Sequence, residues 1–276
     1  MPSVLVTGAG RGIGRAIAEQ WAGRGWDVIA EVRSAADGEA VRAVDPKRIS
    51  TVILDVTDDT DLQALADALP ARLDAVVNNA GIVVAGPIEA VSTAQWRKQL
   101  DVYVIGQLAV TRVILPRLRE SRGRVVFISS INGRLSTPLI GPYAASKFAL
   151  EAAADALRME VAPWGIAVVL VEPAQTDTDM WRTAGTMVDE LEAELTPRHR
   201  ELYARHVAGM RKSVPISQRL AVPPAAVAAV VYAALTSRRP RRRYLVGVGP
   251  KVQVALMTNM PSSLRDRILR LVMRQP

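Results

Sequence analysis

Tyr143 and Lys147 stand four residues apart in the stretch Tyr143-Ala144-Ala145-Ser146-Lys147, at the start of an apolar segment. On a helix that spacing puts both side chains on one face, one turn apart. An ammonium beside a phenol favours the phenolate and lowers a pKa that is ordinarily about 10. A tyrosine tuned in this way can trade a proton with a substrate oxygen near neutral pH. Such a pair taken alone more often marks a solvated helix face. Two further features bear on it: Ser130, thirteen residues upstream at the end of an apolar run, and a glycine-rich opening to the chain.

These side chains meet only if a regular fold brings strand ends and a helix start to one edge. Val4-Leu5-Val6 is a short apolar run that ends in Thr7-Gly8-Ala9-Gly10-Arg11-Gly12-Ile13-Gly14, and Ile13, Ile17, Ala18 and Trp21 follow at helical spacing. A glycine-rich turn in this context lets backbone approach a pyrophosphate, and the helix N-terminus adds N–H donors and a positive dipole end. Outside that context it would be only a flexible turn. Val28-Ile29-Ala30 reads as the second strand, closing at Glu31-Val32-Arg33-Ser34. An acidic residue at this point binds an adenosine ribose, whereas an arginine accommodates a 2′-phosphate. Val32 holds the usual acidic position, Arg33 follows it and Arg11 adds a second cation, so NADP(H) is the expected cofactor. The alternative is that Glu31 takes the ribose of NAD(H).

Strand and helix then keep alternating. Ile49 to Leu54 reads as a strand capped by Asp55, placed to meet an adenine, and Asp58 to Leu69 as a helix. Ala75 to Val77 is a strand running into Asn78-Asn79-Ala80-Gly81, and Thr93 to Leu118 one long helix. Val125 to Ile128 is a strand ending in Ser129-Ser130, Pro142 to Val161 the helix of Tyr143 and Lys147, and Ile166 to Val171 the sixth strand. A helix over Pro224 to Leu235 precedes a seventh strand at Leu245-Val246. The predicted fold is α/β, a doubly wound parallel sheet of Rossmann type with about seven strands, in one catalytic domain over residues 1–250. Residues 173–220 show no strand pattern and leave the sixth strand where ligands bind in open sheets, so they are expected to form a helical lid over the substrate. That lid carries Met180, Trp181, Met187 and Met210, and His199 and His206 are expected as surface residues because no acid is spaced to orient them.

Composition narrows the functions. Hydrophobic residues make up 49% and charged residues 22%, as in a globular protein with a substantial core. Cysteine is absent, which excludes disulfides, thiolate catalysis and cysteine-bound metal, and no metal site is expected. No apolar run approaches the roughly 18 residues that span a bilayer, and Met1-Pro2-Ser3 leads straight into a strand without a cationic leader, so a cytoplasmic location is expected. From Ser237 onward ten Lys and Arg residues face Asp266 alone, so the formal charge of +8 belongs to the tail. With only 4% aromatic residues and no recognised binding motif, nucleic acid is not an expected partner. Lys147 is one of five lysines against thirty arginines, which points to a need that arginine cannot meet.

Together these motifs resemble the short-chain dehydrogenase/reductase family of NAD(P)(H)-dependent oxidoreductases over roughly residues 3 to 250. Thr7 to Gly14 is similar to its T-G-x-x-x-G-x-G loop, Asn78 to Gly81 to its N-N-A-G segment, and Ser130, Tyr143 and Lys147 fall on its catalytic serine, tyrosine and lysine. The resemblance implies hydride transfer between nicotinamide and a carbonyl or secondary alcohol carbon. Tyr143 would trade the proton, Ser130 would donate to the substrate oxygen, and Lys147 would lower the Tyr143 pKa and bind the nicotinamide ribose. It also implies cofactor contacts from Gly8, Gly10, Arg11, Gly12, Ile13, Gly14, Arg33, Asp55, Val56, Asn79, Ala80, Gly81, Pro173, Thr176 and Thr178, the last at the carboxamide, alongside Tyr143 and Lys147. The wording around Glu172-Pro173 and from Tyr143 to Glu151 is closest to the retinol and 17β-hydroxysteroid dehydrogenase-like branch, which implies a small hydrophobic substrate of steroid, retinoid or lipid type. Family members pair through helices like those over 93–118 and 142–161, so a homodimer or homotetramer is expected.

Two positions depart from the family pattern. Asp101-Val102-Tyr103-Val104-Ile105-Gly106 puts Tyr103 where an asparagine supports a water between the lysine and bulk solvent; a tyrosine hydroxyl could serve there, or the relay is weakened. Ala174 replaces the glycine usual after Pro173. Two other functions stay open on the same fold: a 3-oxoacyl-type reductase, and a cofactor-binding protein with little turnover. Residues 251–276 form a C-terminal helical extension in which Leu264, Ile268, Leu271 and Val272 make one stripe and Arg267, Arg270 and Arg274 another. The apolar stripe is expected to dock on the body or a second subunit; the alternative is peripheral contact with an anionic membrane.

Overall fold

Apolar residues alternate along each central strand so that both faces of the sheet are buried, the pattern of a parallel sheet covered on both sides. In the computed structural model, which describes residues 1–276 apart from the side chains of Met180, Trp181, Ala184, Val248, Pro250, Lys251, Val252 and Gln253, the runs become seven strands. They are β1 (Ser3–Val6), β2 (Asp27–Val32), β3 (Ile49–Ile53), β4 (Ala75–Asn78), β5 (Arg124–Ile128), β6 (Ala167–Pro173) and β7 (Arg243–Val246). All neighbours pair in parallel in the order β3-β2-β1-β4-β5-β6-β7, the doubly wound Rossmann arrangement that the motifs implied.

One face of the sheet presents Val4, Val6, Val77, Val126 and Val169 to α1 (Gly12–Ala22) and to a later helix over Pro224–Thr236. Trp21 of α1 is fully buried there, edge-on to Trp26 at 4.5 Å and to Tyr232 at 5.6 Å. The other face presents Leu5, Val76, Val125, Phe127 and Leu170 to Leu62, Leu65, Ile114 and Leu150 of the helices opposite. After β2 comes α2 (Ala35–Arg42), which the reading from periodicity leaves out because its eight residues are weakly patterned; Ser34 starts it by accepting the Asp37 N–H. Asp58 caps α3 (Asp59–Ala68) through the N–H groups of Thr60 and Asp61.

The long helix expected over 93–118 is broken. It divides into α4 (Thr93–Leu100), one wide π turn (Asp101–Gly106) and α5 (Gln107–Ser121). Gly106 packs so tightly that an added Cβ would lie 2.7 Å from the Val56 carbonyl oxygen, and the turn carries Tyr103 inward. The next helix, α6 (Gly141–Val161), buries Ala144, Lys147, Leu150, Glu151 and Ala154 on one stripe. Gln99 of α4 locks the two together: its Oε1 accepts the Val84 N–H at 2.7 Å and its Nε2 donates to Ser146 Oγ at 3.2 Å.

After β6 come α7 (Asp179–Arg182), α8 (Ala184–Glu194), α9 (Pro197–Arg219) and α10 (Pro224–Thr236). Val188, Leu195, Val207 and Val214 give the α8–α9 pair its own small core, and Gln95 donates to Glu194 at 3.1 Å. The C-terminal helices are α11 (Val248–Met257) and α12 (Ser262–Val272). Ile268 of the expected stripe packs on the body together with Leu269, against Ile131, Leu135, Val254 and Met257, whereas Leu264, Leu271 and Val272 are exposed. The tertiary contact is set by what α11 and the loop after β5 offer, and it lies off the centre of the apolar stripe. Among the described residues no helix is long and apolar enough to cross a membrane.

Candidate active site

The C-terminal ends of the strands open into one elongated cavity of about 770 Å³. At the switch point between β1 and β4 the chain leaves the sheet toward opposite faces, which opens a crevice there. Of the residues expected to contact a cofactor, all but Gly14 line this cavity. Gly14 is buried in α1, where an added Cβ would sit 2.2 Å from the Gly8 carbonyl oxygen. It therefore serves the close packing of helix on strand rather than the ligand.

The glycine loop is held from beneath. Thr7 Oγ1 accepts the N–H groups of Asn79 (2.8 Å) and Ala80 (3.0 Å), and the Asn79 amide donates to the Thr7 and Gly8 carbonyls at 2.9 and 3.2 Å. Glu31, 1% exposed, accepts the Gly8 N–H at 2.7 Å. Burial pushes its carboxyl up to about 7, against the pull of that N–H and of Arg33. One of its oxygens is thus engaged by the loop, and Glu31 also lines the cavity. Arg11 and Arg33 are exposed at the same end of the cavity. Asp37 lies against Gly10 and accepts from Ser34 Oγ at 2.9 Å, and sequence reasoning missed it, although its place three residues after a helix-starting serine was a signal. Asp55 is held below its ordinary pKa mainly by the hydroxyl and N–H of Thr57.

At the other end stand Ser130, Tyr143 and Lys147. Ser130 follows β5 by two residues and caps the next short turn by accepting the Asn132 N–H at 3.1 Å. The Ser130 hydroxyl also bonds Tyr143 and pulls its pKa down, yet burial dominates and the Tyr143 pKa is raised. Lys147 is not among the causes of that shift, so the expectation that a charged lysine lowers it stays open. The Lys147 ammonium donates to the Ile128 carbonyl at 2.6 Å and lies 3.7 Å from the centre of the Tyr103 ring, but 5.8 Å from that of Tyr143. Burial drives the Lys147 pKa well below its ordinary value, with Glu151 opposing.

Behind these residues is a charged cluster that sequence reasoning did not single out. Ser129 donates to Glu151 at 2.8 Å, and Arg243 reaches Glu151 (3.1 Å), Asp155 (2.9 Å) and Glu172 (3.1 Å). The signal was present in α6, where Lys147 and Glu151 fall on the same stripe as Leu150 and Ala154. Of the residues expected to face substrate from the lid, Met210 packs into the α8–α9 core, and the side chains of Met180 and Trp181 lie outside the described residues. His199 and His206 are half-buried on α9 and do not line the cavity.

A nicotinamide dinucleotide fits this site. The cavity has the size of a cofactor pocket, and Gly8 and Gly12, at φ of 64° and 57°, bare the loop backbone. On Gly12 an added Cβ would come within 3.2 Å of Thr178, closing the cradle. Guanidinium groups at one end and a phenol, a hydroxyl and an ammonium at the other supply what such a molecule and its partner substrate need. Fold and site thus define an oxidoreductase that works with a nicotinamide dinucleotide. The family model for short chain dehydrogenases matches residues 2–189. NADPH-dependent 3-dehydrocapnine reductase of Ornithobacterium rhinotracheale is 31% identical over 97% of this chain and 96% of its own. Human retinol dehydrogenase 5 is 34% identical over 99% and 89%. A short-chain dehydrogenase structure from Streptomyces avermitilis superposes with a TM-score of 0.78 at 29% identity, covering 97% of this chain and 94% of that one. The chain belongs to the short-chain dehydrogenase/reductase family, on its retinol dehydrogenase-like branch, and is an NAD(P)-dependent oxidoreductase of alcohol and carbonyl groups.

Proposed function

We propose that the protein is an NADP(H)-linked reductase, or the reverse dehydrogenase, of a hydrophobic ketone, aldehyde or secondary alcohol. The observation that carries this reading is a single cavity with Ser130, Tyr143 and Lys147 at one end and Arg11 and Arg33 at the other. The arginines suit a 2′-phosphate, and the name of the 3-dehydrocapnine reductase supports NADPH. The names of the retinol dehydrogenases support a hydrophobic substrate, and Ala174, which lines the cavity, is packed on the buried apolar cluster of Ile131 and Leu135.

Bound nicotinamide supplies or takes up the hydride. Tyr143 gives its hydroxyl proton to the carbonyl oxygen in reduction and takes it back in oxidation. Ser130 donates to the same oxygen and stabilises the charge that grows there. Lys147 stabilises the phenolate that Tyr143 becomes. Exposed Ile105 on the π turn and Phe148 on α6 support pairing with a second copy through these elements, to be read by light scattering of the wild type and an Ile105→Arg variant.

The test is NADPH and NADH absorbance with a panel of ketones, aldehydes and alcohols. Turnover should favour NADPH and long apolar substrates. Tyr143→Phe should lose about 10² to 10⁴ of the rate while still quenching with NADPH, and Arg33→Ala should raise the KM for NADPH more than for NADH. Turnover preserved in Tyr143→Phe would refute the assignment.

A further inference from the structure

Tyr103 meets Lys147 with its ring, not its hydroxyl. The ammonium nitrogen is 3.7 Å from the ring centroid, and the hydroxyl is turned onto Gly81, where an added Cβ would come within 2.1 Å of it. Both side chains are buried, Tyr103 at 5% and Lys147 at 2% exposure. The same ring meets Tyr143 edge-to-face, with centroids 5.7 Å apart, so it touches both members of the pair.

The groups facing Lys147 come from every neighbouring element. Its own helix gives Tyr143 and Glu151, the π turn gives Tyr103, and the end of β5 gives Ser129, Ser130 and the Ile128 carbonyl. Beyond Glu151 lie Glu172 of β6, Arg243 of β7 and Arg134. Glu151 is engaged by Ser129 and Arg243, and among the described residues Lys147 forms no ion pair with it. A buried ammonium with one carbonyl acceptor tends to shed its proton. The negative face of an aromatic ring opposes that loss, and most strongly where water is excluded.

We propose that Tyr103 is a positioning residue whose ring, and not whose hydroxyl, holds Lys147 charged beside Tyr143. An asparagine at this place would offer a polar group to a water; the ring instead turns its face to the buried ammonium. The inference rests on the proposed roles of Tyr143 and Lys147.

In alcohol oxidation the phenolate of Tyr143 is the base, so the rate climbs with pH through its titration. Tyr103→Phe keeps the ring and should leave that limb within a few tenths of a pH unit, roughly the reach of a lost distant hydroxyl. Tyr103→Leu removes the ring and should move the limb up by about one pH unit. Ultraviolet difference titration of tyrosinate in the cofactor-free protein, each variant read against its Tyr143→Phe partner, should show the same pattern. Should Tyr103→Leu not fold, Tyr103→Met supplies a ringless side chain of similar volume. Equal shifts in the Phe and ringless variants would overturn the proposal in favour of the hydroxyl, and no shift in the ringless variants would make the ring inert packing. If no substrate in the panel turns over, the proposed function fails, while the titration still decides what Tyr103 does.

Discussion

Glu31 illustrates what a single buried side chain does for the site. Its carboxylate accepts the Gly8 N–H at 2.7 Å and, with a carboxyl raised to about 7, changes charge within the physiological range. A dinucleotide phosphate is anionic, so an ionised carboxylate under the loop opposes its binding and a protonated one does not. Affinity for NADPH should therefore tighten several-fold as pH falls from about 8 to about 6. Glu31→Gln should bind with little pH dependence, measured by NADPH fluorescence. An unchanged pH slope in the variant would assign the effect to another group. This role was not legible in the sequence, which does not say that the Glu31 side chain turns under the Gly8 N–H. Ser130, Tyr143 and Lys147 were legible because their types and order carry the pattern. Which neighbour the ammonium faces depends on Tyr103, and that needed coordinates.

At the scale of elements, the strands and the helices that cross between them followed from apolar runs and glycine turns, because a two-sided sheet leaves that mark. The π turn did not. Its residues keep helical spacing on either side, and the break depends on Gly106 meeting the Val56 carbonyl from another strand end. Glycines carry the same ambiguity, since a sequence does not say whether one faces ligand, backbone or solvent. Gly14 and Gly23 make the contrast testable. At Gly14 a methyl would lie 2.2 Å from backbone, so Gly14→Ala should force α1 away from β1 and weaken both folding and cofactor binding. Gly23 is exposed, helical at φ −61°, and an added Cβ meets nothing closer than 3.5 Å. Gly23→Ala should stabilise the protein by about 0.4–1 kcal/mol, chiefly through the unfolded chain. Urea unfolding of both variants separates the two cases, and equal effects would sink the argument.

Across the whole molecule the buried carboxyls tie stability to pH. Glu172 is fully buried, and its oxygens lie 3.1 Å from Arg243 and 3.7 Å from Arg134 without a well-directed hydrogen bond. Burial first, and then Glu151, raise it to about 7, as burial does for Glu31. A carboxyl whose folded pKa exceeds its unfolded value binds more protons in the native state. Its contribution is thus full below about 4.5 and is lost as pH rises through about 7. Exposed pairs such as Asp177 with Arg182, where the carboxylate is held low, act the other way and matter only in acid. Replacing Glu172 by Gln keeps the shape of the protonated acid and removes its titration. The variant should match wild type near pH 5 and exceed it by up to about 3 kcal/mol near pH 8, a gap of several degrees in Tm. Lys147 titrates alike in both proteins and drops out of the difference. Thermal melts by circular dichroism across that range would reveal the divergence. Parallel curves would instead mean that Arg134 and Arg243 hold Glu172 as a contented anion, and that the sheet's edge behind Ser130 is an ion-pair cluster rather than a proton-binding one.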